Sequence, residues 1–414
     1  MADKKRRVLA PHYMQDFRCI GSACEDSCCR GWRVDIDYNT YRNYQKIRDT
    51  ELSPLIEKYV KRNRAQNHSD HNYAKINLLE DARCPFLDDQ MLCRIQYING
   101  ENSLSDVCST YPRISNIVNE VLEQSATLSC PEAARLALLE EKGMEFDESG
   151  EAKEIRIMRD LSIKTDDLKW KNKPQKYLWE LRIFTISTLQ NRNYRLYQRL
   201  IILGMFYQKL QQYVSEELVD KIPELIASYT NIVGDSSLKE SISVIPVQYT
   251  IQMEMLKELV DSIYLVGVSN RRYLECFTEF LAGVQYTDEA TVEEIGERYQ
   301  KACFDYYEPF MEDNEYILEN YLVNYVFRTL FPLKDGKLIF DSYVLMATHY
   351  ALIKMHLIGM AAFHKKLTNE LVIKLIQSFE KTVEHNHQYL KGITDILKNS
   401  GFSTMAYMSI LIKN

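Results

Sequence analysis

Residues 17–32 read FRCIGSACEDSCCRGW, which places Cys19, Cys24, Cys28 and Cys29 in the pattern C-x4-C-x3-C-C. Four more cysteines follow singly: Cys84 in RCPFL, Cys93 in LCRI, Cys108 in VCSTYPR and Cys130 in SCPEA. Beyond them lie only Cys276 and Cys303. Cysteines used as small hydrophobes have no reason to bunch, so the first third of the chain needs sulfur. Gly21, Gly31 and the adjacent Cys28-Cys29 disfavour a regular helix there and predict a turning loop that folds its sulfurs inward. Neighbouring side chains diverge in most backbone conformations, which points to one of Cys28 and Cys29 as support rather than ligand.

The chain has 414 residues, 46% hydrophobic and 26% charged, enough for two or three domains with a substantial core. A net charge of −7 argues against nucleic acid as the partner, because phosphate binding needs a basic face. The opening MADKKRRVLAPHYM is basic, but His12 and Asp16 interrupt any signal-peptide core, so it reads as a solvated tail. The longest apolar run, Tyr343 to Phe363, carries His349, Lys354 and His356; burying these in a bilayer is costly, so a core helix is predicted and no membrane partner. The expected location is cytoplasmic, where thiols stay reduced and a cysteine cluster reads as metal-binding or catalytic.

Taken in order, Val34–Ile36 alternates as a short strand and Asn39 or Thr40 starts a polar helix. Ser53-Pro54 opens a helix reaching about Arg64. Residues 85–93 read as a hairpin whose arms bring Cys84 and Cys93 together. A short helix at 103–109 stops at Pro112. Residues 114–128 alternate again, and Pro131 begins a helix through Lys142. Residues 143–175 are polar, with Gly143, Gly150 and Pro174, and read as a linker or exposed excursion in which Lys153–Leu161 has helical character. From Pro174 onward the periodicity is helical, with no strand signal, no phosphate loop and no G-x-G-x-x-G, which excludes a Rossmann-type cofactor domain. The predicted architecture is mostly α: a cysteine-rich module at 1–142 with a few short strands, then a large helical body at 176–414.

Zinc sites favour paired C-x2-C knuckles, and none occurs here. Dispersed spacing suits an iron–sulfur cluster, whose thiolates need only converge in space. Iron–sulfur is therefore the leading reading, with zinc, plain buried thiols, and copper or a redox relay as the alternatives.

The ordered set FRCIGSACEDSCCRGW, CPFLDDQMLC, CSTYPR and SCPEA, covering residues 17–132, resembles the flagellin lysine-N-methylase family, the FliB type, within the broader group of C-C and C-PFL cysteine-cluster proteins. The resemblance implies methyl transfer from S-adenosyl-L-methionine to lysine amines of flagellin in the cytoplasm. It also implies a 4Fe-4S type cluster held among Cys19, Cys24, Cys28, Cys29, Cys84, Cys93, Cys108 and Cys130. Tyr111 and Arg113, beside Cys108, are the candidate cofactor-binding residues, since a guanidinium can pair with the cofactor's carboxylate. The histidines show no metal-ligand spacing and read as structural. A tyrosine-lined slot suits a lysine side chain, but no tyrosine or carboxylate identifies itself as the catalytic base. The alternative function is a non-catalytic iron–sulfur or zinc scaffold that senses redox state.

Overall fold

The computed structural model describes residues 7–413 apart from 33, 66–68, 151–158, 236, 237, 255–269, 288, 334–337, 384–391, 393 and 394. The chain divides into two compact units. The first is Met1–Ala133 with Phe146–Ser162, and the second is Ala134–Glu145 with Ile163–Asn414. The architecture is mostly α with a few short strands, as the periodicity predicts.

The first unit holds every described strand. β1 (Val8–Pro11), β5 (Arg113–Val118), β6 (Val121–Ala126), β7 (Phe146–Ser149) and β8 (Arg159–Ile163) form one sheet in the order β7-β1-β6-β5-β8. β5 and β6 are an antiparallel hairpin in register from Arg113↔Ala126 to Val118↔Val121. Its two turn residues, Asn119 and Glu120, have φ of 48° and 69°, the left-handed pair that matches the twist of a tight hairpin. β1 runs parallel to β6 and antiparallel to β7. The basic opening is thus no solvated tail from Val8 onward: its backbone groups are paired on both sides, a partnership that local sequence does not display. The polar stretch after Gly143 supplies β7 and β8. Of the expected helical stretch Lys153–Leu161, residues 153–158 lie outside the described residues and Arg159–Ile163 is strand.

A second sheet, β2 (Val34–Ile36), β4 (Ala74–Ile76) and β3 (Val60–Arg62), is antiparallel in that order. The helix expected to reach Arg64 is Leu52–Tyr59 and gives way to β3, because Val60 pairs with Ile76. Val34, Ile36, Val60, Ala74 and Ile76 turn one face of this sheet onto a small core with Leu52, Ile56, Phe86 and Ile95.

The second unit is helical throughout its described residues after Ile163. Its centre is Ile339–His364, apolar on all sides and therefore buried rather than amphipathic. By length and composition alone this helix could cross a membrane, yet 94% of its apolar window is buried inside the protein. Arg271–Gly283 crosses it where Gly283 meets Gly359: a Cβ on Gly283 would overlap the Gly359 carbonyl oxygen, and one on Gly359 would overlap the Phe280 ring. Replacing Gly359 by Ala should therefore cost about 1–3 kcal/mol through overpacking, read as a lower midpoint in urea; an unchanged midpoint would mean that the helices separate freely.

The two buried histidines of the central helix each meet a tyrosine hydroxyl. The His356 Nδ1–H donates to the Leu352 carbonyl at 2.6 Å, which leaves Nε2 to accept from the Tyr273 hydroxyl at 3.1 Å. His349 lies 3.4 Å from the Tyr321 hydroxyl, which itself donates to Glu380, and Glu380 also takes the Arg328 guanidinium at 2.9 Å. Burial lowers His356 from 6.5 to about 4, and burial with the Arg328 charge lowers His349 to about 3. Both rings are neutral when folded and charge once unfolded below about pH 6.5. The unfolded chain then binds more protons, so stability is intact above that pH and falls below it, by about 1.4 kcal/mol per pH unit per ring. Melting temperature should drop between pH 6.5 and 5, and His356→Gln should flatten the dependence; a melt indifferent to pH across that range would contradict the buried neutral rings.

Candidate functional site

The first unit assembles its sulfurs by backbone pairing. Residues 29–31 run antiparallel to 82–84, with Cys84 N–H donating to Cys29 O at 2.8 Å and Gly31 N–H to Ala82 O at 3.0 Å. Gly31 has φ of 84°, so the chain can turn there as the sequence predicts. The turn after Cys84 is the expected hairpin. The Asp88 carboxylate accepts from the Gln90 and Leu92 N–H groups at 2.9 and 2.8 Å. Arg94 N–H reaches Phe86 O at 2.8 Å, and Leu87 bridges Cys93. Cys93 is thereby returned beside Cys84.

Cys108 is delivered by a capping residue that sequence reading passed over. Asp37 caps the helix Tyr38–Tyr44 by accepting from Thr40 N–H at 2.8 Å, and its other oxygen accepts from Asp106 N–H at 3.3 Å. Burial works to raise the Asp37 carboxyl, yet the bonds from Thr40 and Asp106 hold it below its ordinary value. Ser105 accepts from Cys108 N–H at 3.3 Å and starts the short helix Asp106–Thr110. An Asp three residues before Thr40 is the N-cap signal that would have located it.

Cys84 thus belongs to the small core, and Cys29, Cys93 and Cys108 pack against the same core. The Cys28 and Cys29 sulfurs lie 4.0 Å apart, so the adjacent pair converges where divergence was expected. Cys29 is raised by the hydrogen it shares with Cys28 and by burial. Burial pushes Cys84 and Cys108 up to about 12 and raises Cys93. Each of these thiols also feels the charge of others in the group, which opposes simultaneous ionisation. Cys130, pushed to about 12 by burial, feels Cys24 and Cys28; Cys24 is raised by burial and donates to Asp26 O. Cys19 is exposed, and all ten cysteines are free thiols. Cys276 and Cys303 are buried in the helical unit.

The eight thiols of this unit are the soft donors that a thiophilic metal group takes. Around one tetrahedral zinc, with Zn–S near 2.3 Å, sulfurs would stand about 3.8 Å apart. Among the described residues no three His, Cys, Asp or Glu side chains are gathered to hold a metal ion; the Cys28 and Cys29 sulfurs, 4.0 Å apart, stand near that value. Trp32 lies against this loop: its indole N–H donates to the Cys28 carbonyl and its ring packs on Tyr111 at 5.5 Å. Of the two residues proposed for the cofactor, Tyr111 shares a hydrogen bond with Ser129 at 3.1 Å, next to Cys130, and Arg113 lies over the Phe17 ring at 5.3 Å.

The helical unit has polar groups that sequence reading did not single out. Glu319, 1% exposed, takes Arg199 at 2.6 Å and Arg192 at 2.9 Å. Arg192 and Asn320 also bond to the carbonyls of Glu141, Leu138 and Glu140, so residues 138–141 are held by this buried cluster. Lys354, 6% exposed, has its Nζ 5.7 Å from the Tyr307 ring centre and 5.8 Å from that of Tyr350. Its sequence signal was merely a charge in an apolar run.

The thiolate is the nucleophile in alkylation, so iodoacetamide should label exposed Cys28 well before buried Cys84 in reduced, metal-free protein. Peptide mass spectrometry would follow the order; equal rates would mean that the small core is open.

The pattern of the FliB lysine N-methylase C-terminal domain matches residues 182–411. The chain is 21% identical over 400 residues to lysine-N-methylases of Salmonella choleraesuis (strain SC-B67) and Salmonella typhimurium (strain LT2), covering 94% of each chain. It is 29% identical over 157 residues to the flagellar biosynthetic protein FliU of Salmonella muenchen, covering 38% of this chain and 91% of that one. No solved structure matches it. The chain belongs to the FliB lysine N-methylase family and is a protein-lysine N-methyltransferase.

Proposed function

We propose that this methyltransferase modifies lysine side chains of flagellin in the cytoplasm, takes its methyl group from S-adenosyl-L-methionine and carries an iron–sulfur cluster on its N-terminal cysteines. The observation that supports the cluster is the packing of Cys29, Cys84, Cys93 and Cys108 around one apolar core, with Cys28 beside Cys29 and no disulfide among them. These five sulfurs are the first candidates to hold it, and Cys19, Cys24 and Cys130 complete the set of eight. When bound, such a cluster supplies the positive charge that lets clustered thiols ionise, and an iron left open can hold a ligand. The flagellar name of one relative supports the choice of substrate. Tyr111 and Arg113 stay the proposed cofactor contacts, being close in sequence to Cys108 and, for Tyr111, packed at a tilt against Trp32.

The chemistry asks two things of the protein itself. A lysine ammonium has no lone pair, so the site must strip its proton before nitrogen can attack. Water must be kept from the reacting centre, which buried aromatic side chains do well.

Anaerobically prepared protein should be brown and contain iron with inorganic sulfide; stoichiometric zinc without sulfide would replace the cluster with the alternative metal. Cys84→Ser and Cys108→Ser should each lose the iron, whereas Cys276→Ser should keep it. Incubation of flagellin with protein and S-adenosyl-L-methionine should add methyl masses to its lysine peptides, and a flagellin that stays unmodified would overturn the substrate.

A further inference from the structure

Between the helices Val292–Ala302 and Glu308–Asn314 the chain forms one π-helical turn, Cys303–Tyr307. Such turns are rare and concentrate at functional sites. This one is a thin wall. Phe304 is 52% exposed at the surface, while Cys303 and Tyr307 are buried on the inner side. Behind it stands Lys354, in the middle of the central helix, its amine near the rings of Tyr307 and of Tyr350 one turn away on the same helix. Among the described residues Lys354 makes no ion pair and no hydrogen bond.

A buried ammonium without a counter-ion is expensive, and the usual relief is loss of its proton. The groups that act on Lys354 electrostatically are Cys303 and Glu308 from the bulge and the helix after it, Glu315 before Tyr316–Arg328, and Arg195 before Leu196–Ser215. Burial lowers its pKa, Arg195 lowers it further, and Cys303, Glu315 and Glu308 oppose this. Glu315 is already engaged by Arg195 and Arg199, at 3.6 and 3.4 Å. What results is an amine among aromatic rings with its pKa lowered by burial, close to a surface bulge, in an enzyme that must deprotonate an amine.

We propose that Lys354 is the general base that takes the proton from the substrate lysine. The substrate ammonium would enter beside the Cys303–Tyr307 turn, where tyrosine ring faces favour a cation. Its proton passes to the Lys354 nitrogen. The freed lone pair forms the new N–C bond as the C–S bond of a sulfonium methyl donor breaks, leaving that electron pair on sulfur. Lys354, now an ammonium, returns its proton to water. The inference rests on the lysine methyltransferase assignment and on a sulfonium donor, and not on the cluster.

Two measurements test it. The first needs no activity. Stability of wild type minus that of Lys354→Met, from urea titrations, should rise with pH towards 10.5, the ordinary lysine value, because a lowered folded pKa withholds stability until the unfolded lysine also loses its proton. A flat difference would mean that Lys354 is charged in the fold, and the proposal fails. The second uses flagellin and S-adenosyl-L-methionine. Lys354→Arg, which cannot give up its proton, and Lys354→Ala should each lower kcat about 10²–10⁴-fold, measured at a temperature where circular dichroism shows each variant still folded. Small primary amines should restore the Ala variant in proportion to their basicity. An active Arg variant, or an Ala variant that no amine rescues, would overturn the role. Wild type inactive on flagellin would instead fault the substrate, with the stability arm still deciding on Lys354.

Discussion

Thiols crowded into an apolar core cannot all ionise at once without a cation, and the first unit is built around that constraint. Burial pushes Cys84 and Cys108 up to about 12, and each sulfur of the group makes the next ionisation harder. Left alone, these cysteines are neutral hydrophobes; given a metal, their repulsion becomes ligation. The surrounding structure keeps them close at modest cost. Two backbone bonds join residues 29–31 to 82–84, one carboxylate shapes the turn before Cys93, and Asp37 ties together the starts of two helices. Cys29, Cys84, Cys93 and Cys108 are therefore positioned by main-chain and capping bonds together with their packing on the small core.

The helical unit solves a different problem. It buries full charges, and it does so in pairs. Glu319 sits between Arg199 and Arg192, and Glu380 takes Arg328 and the Tyr321 hydroxyl. Such pairs add little net stability over a hydrophobic replacement, yet breaking one is costly because it strands the other charge. They also fix position. The Glu319 cluster captures carbonyls of residues 138–141, so a segment separated from it by some 180 residues is held in one register.

Against that background the central helix is unusual. Apolar on all sides, it still carries His349, His356 and Lys354, each with its pKa lowered by burial. The histidines find hydroxyl partners, whereas Lys354 has only ring faces, which makes it the group with chemistry left over. Its lowered pKa and the methylation of an amine belong to the same acid–base problem.

The mostly helical body was legible because burial imposes a period that survives in any single helix, and the hairpin before Cys93 because its acidic turn is local. The grouping of cysteines was legible as composition, and their family resemblance agrees with the family found. Other features needed the folded chain. The strand at Val8–Pro11 exists because β6 and β7 flank it, and nothing in VLAP announces either partner. The convergence of Cys28 with Cys29 depends on how residues 29–31 pair with 82–84. Lys354 looked like an interruption in an apolar run until Tyr307, far away in sequence, closed over it. Sequence alone determined which residue types and which periodicities were present, because those are properties of neighbours along the chain. Only the tertiary structure decided which sulfurs meet and which amine is buried without a counter-ion, because both depend on groups brought together from distant positions.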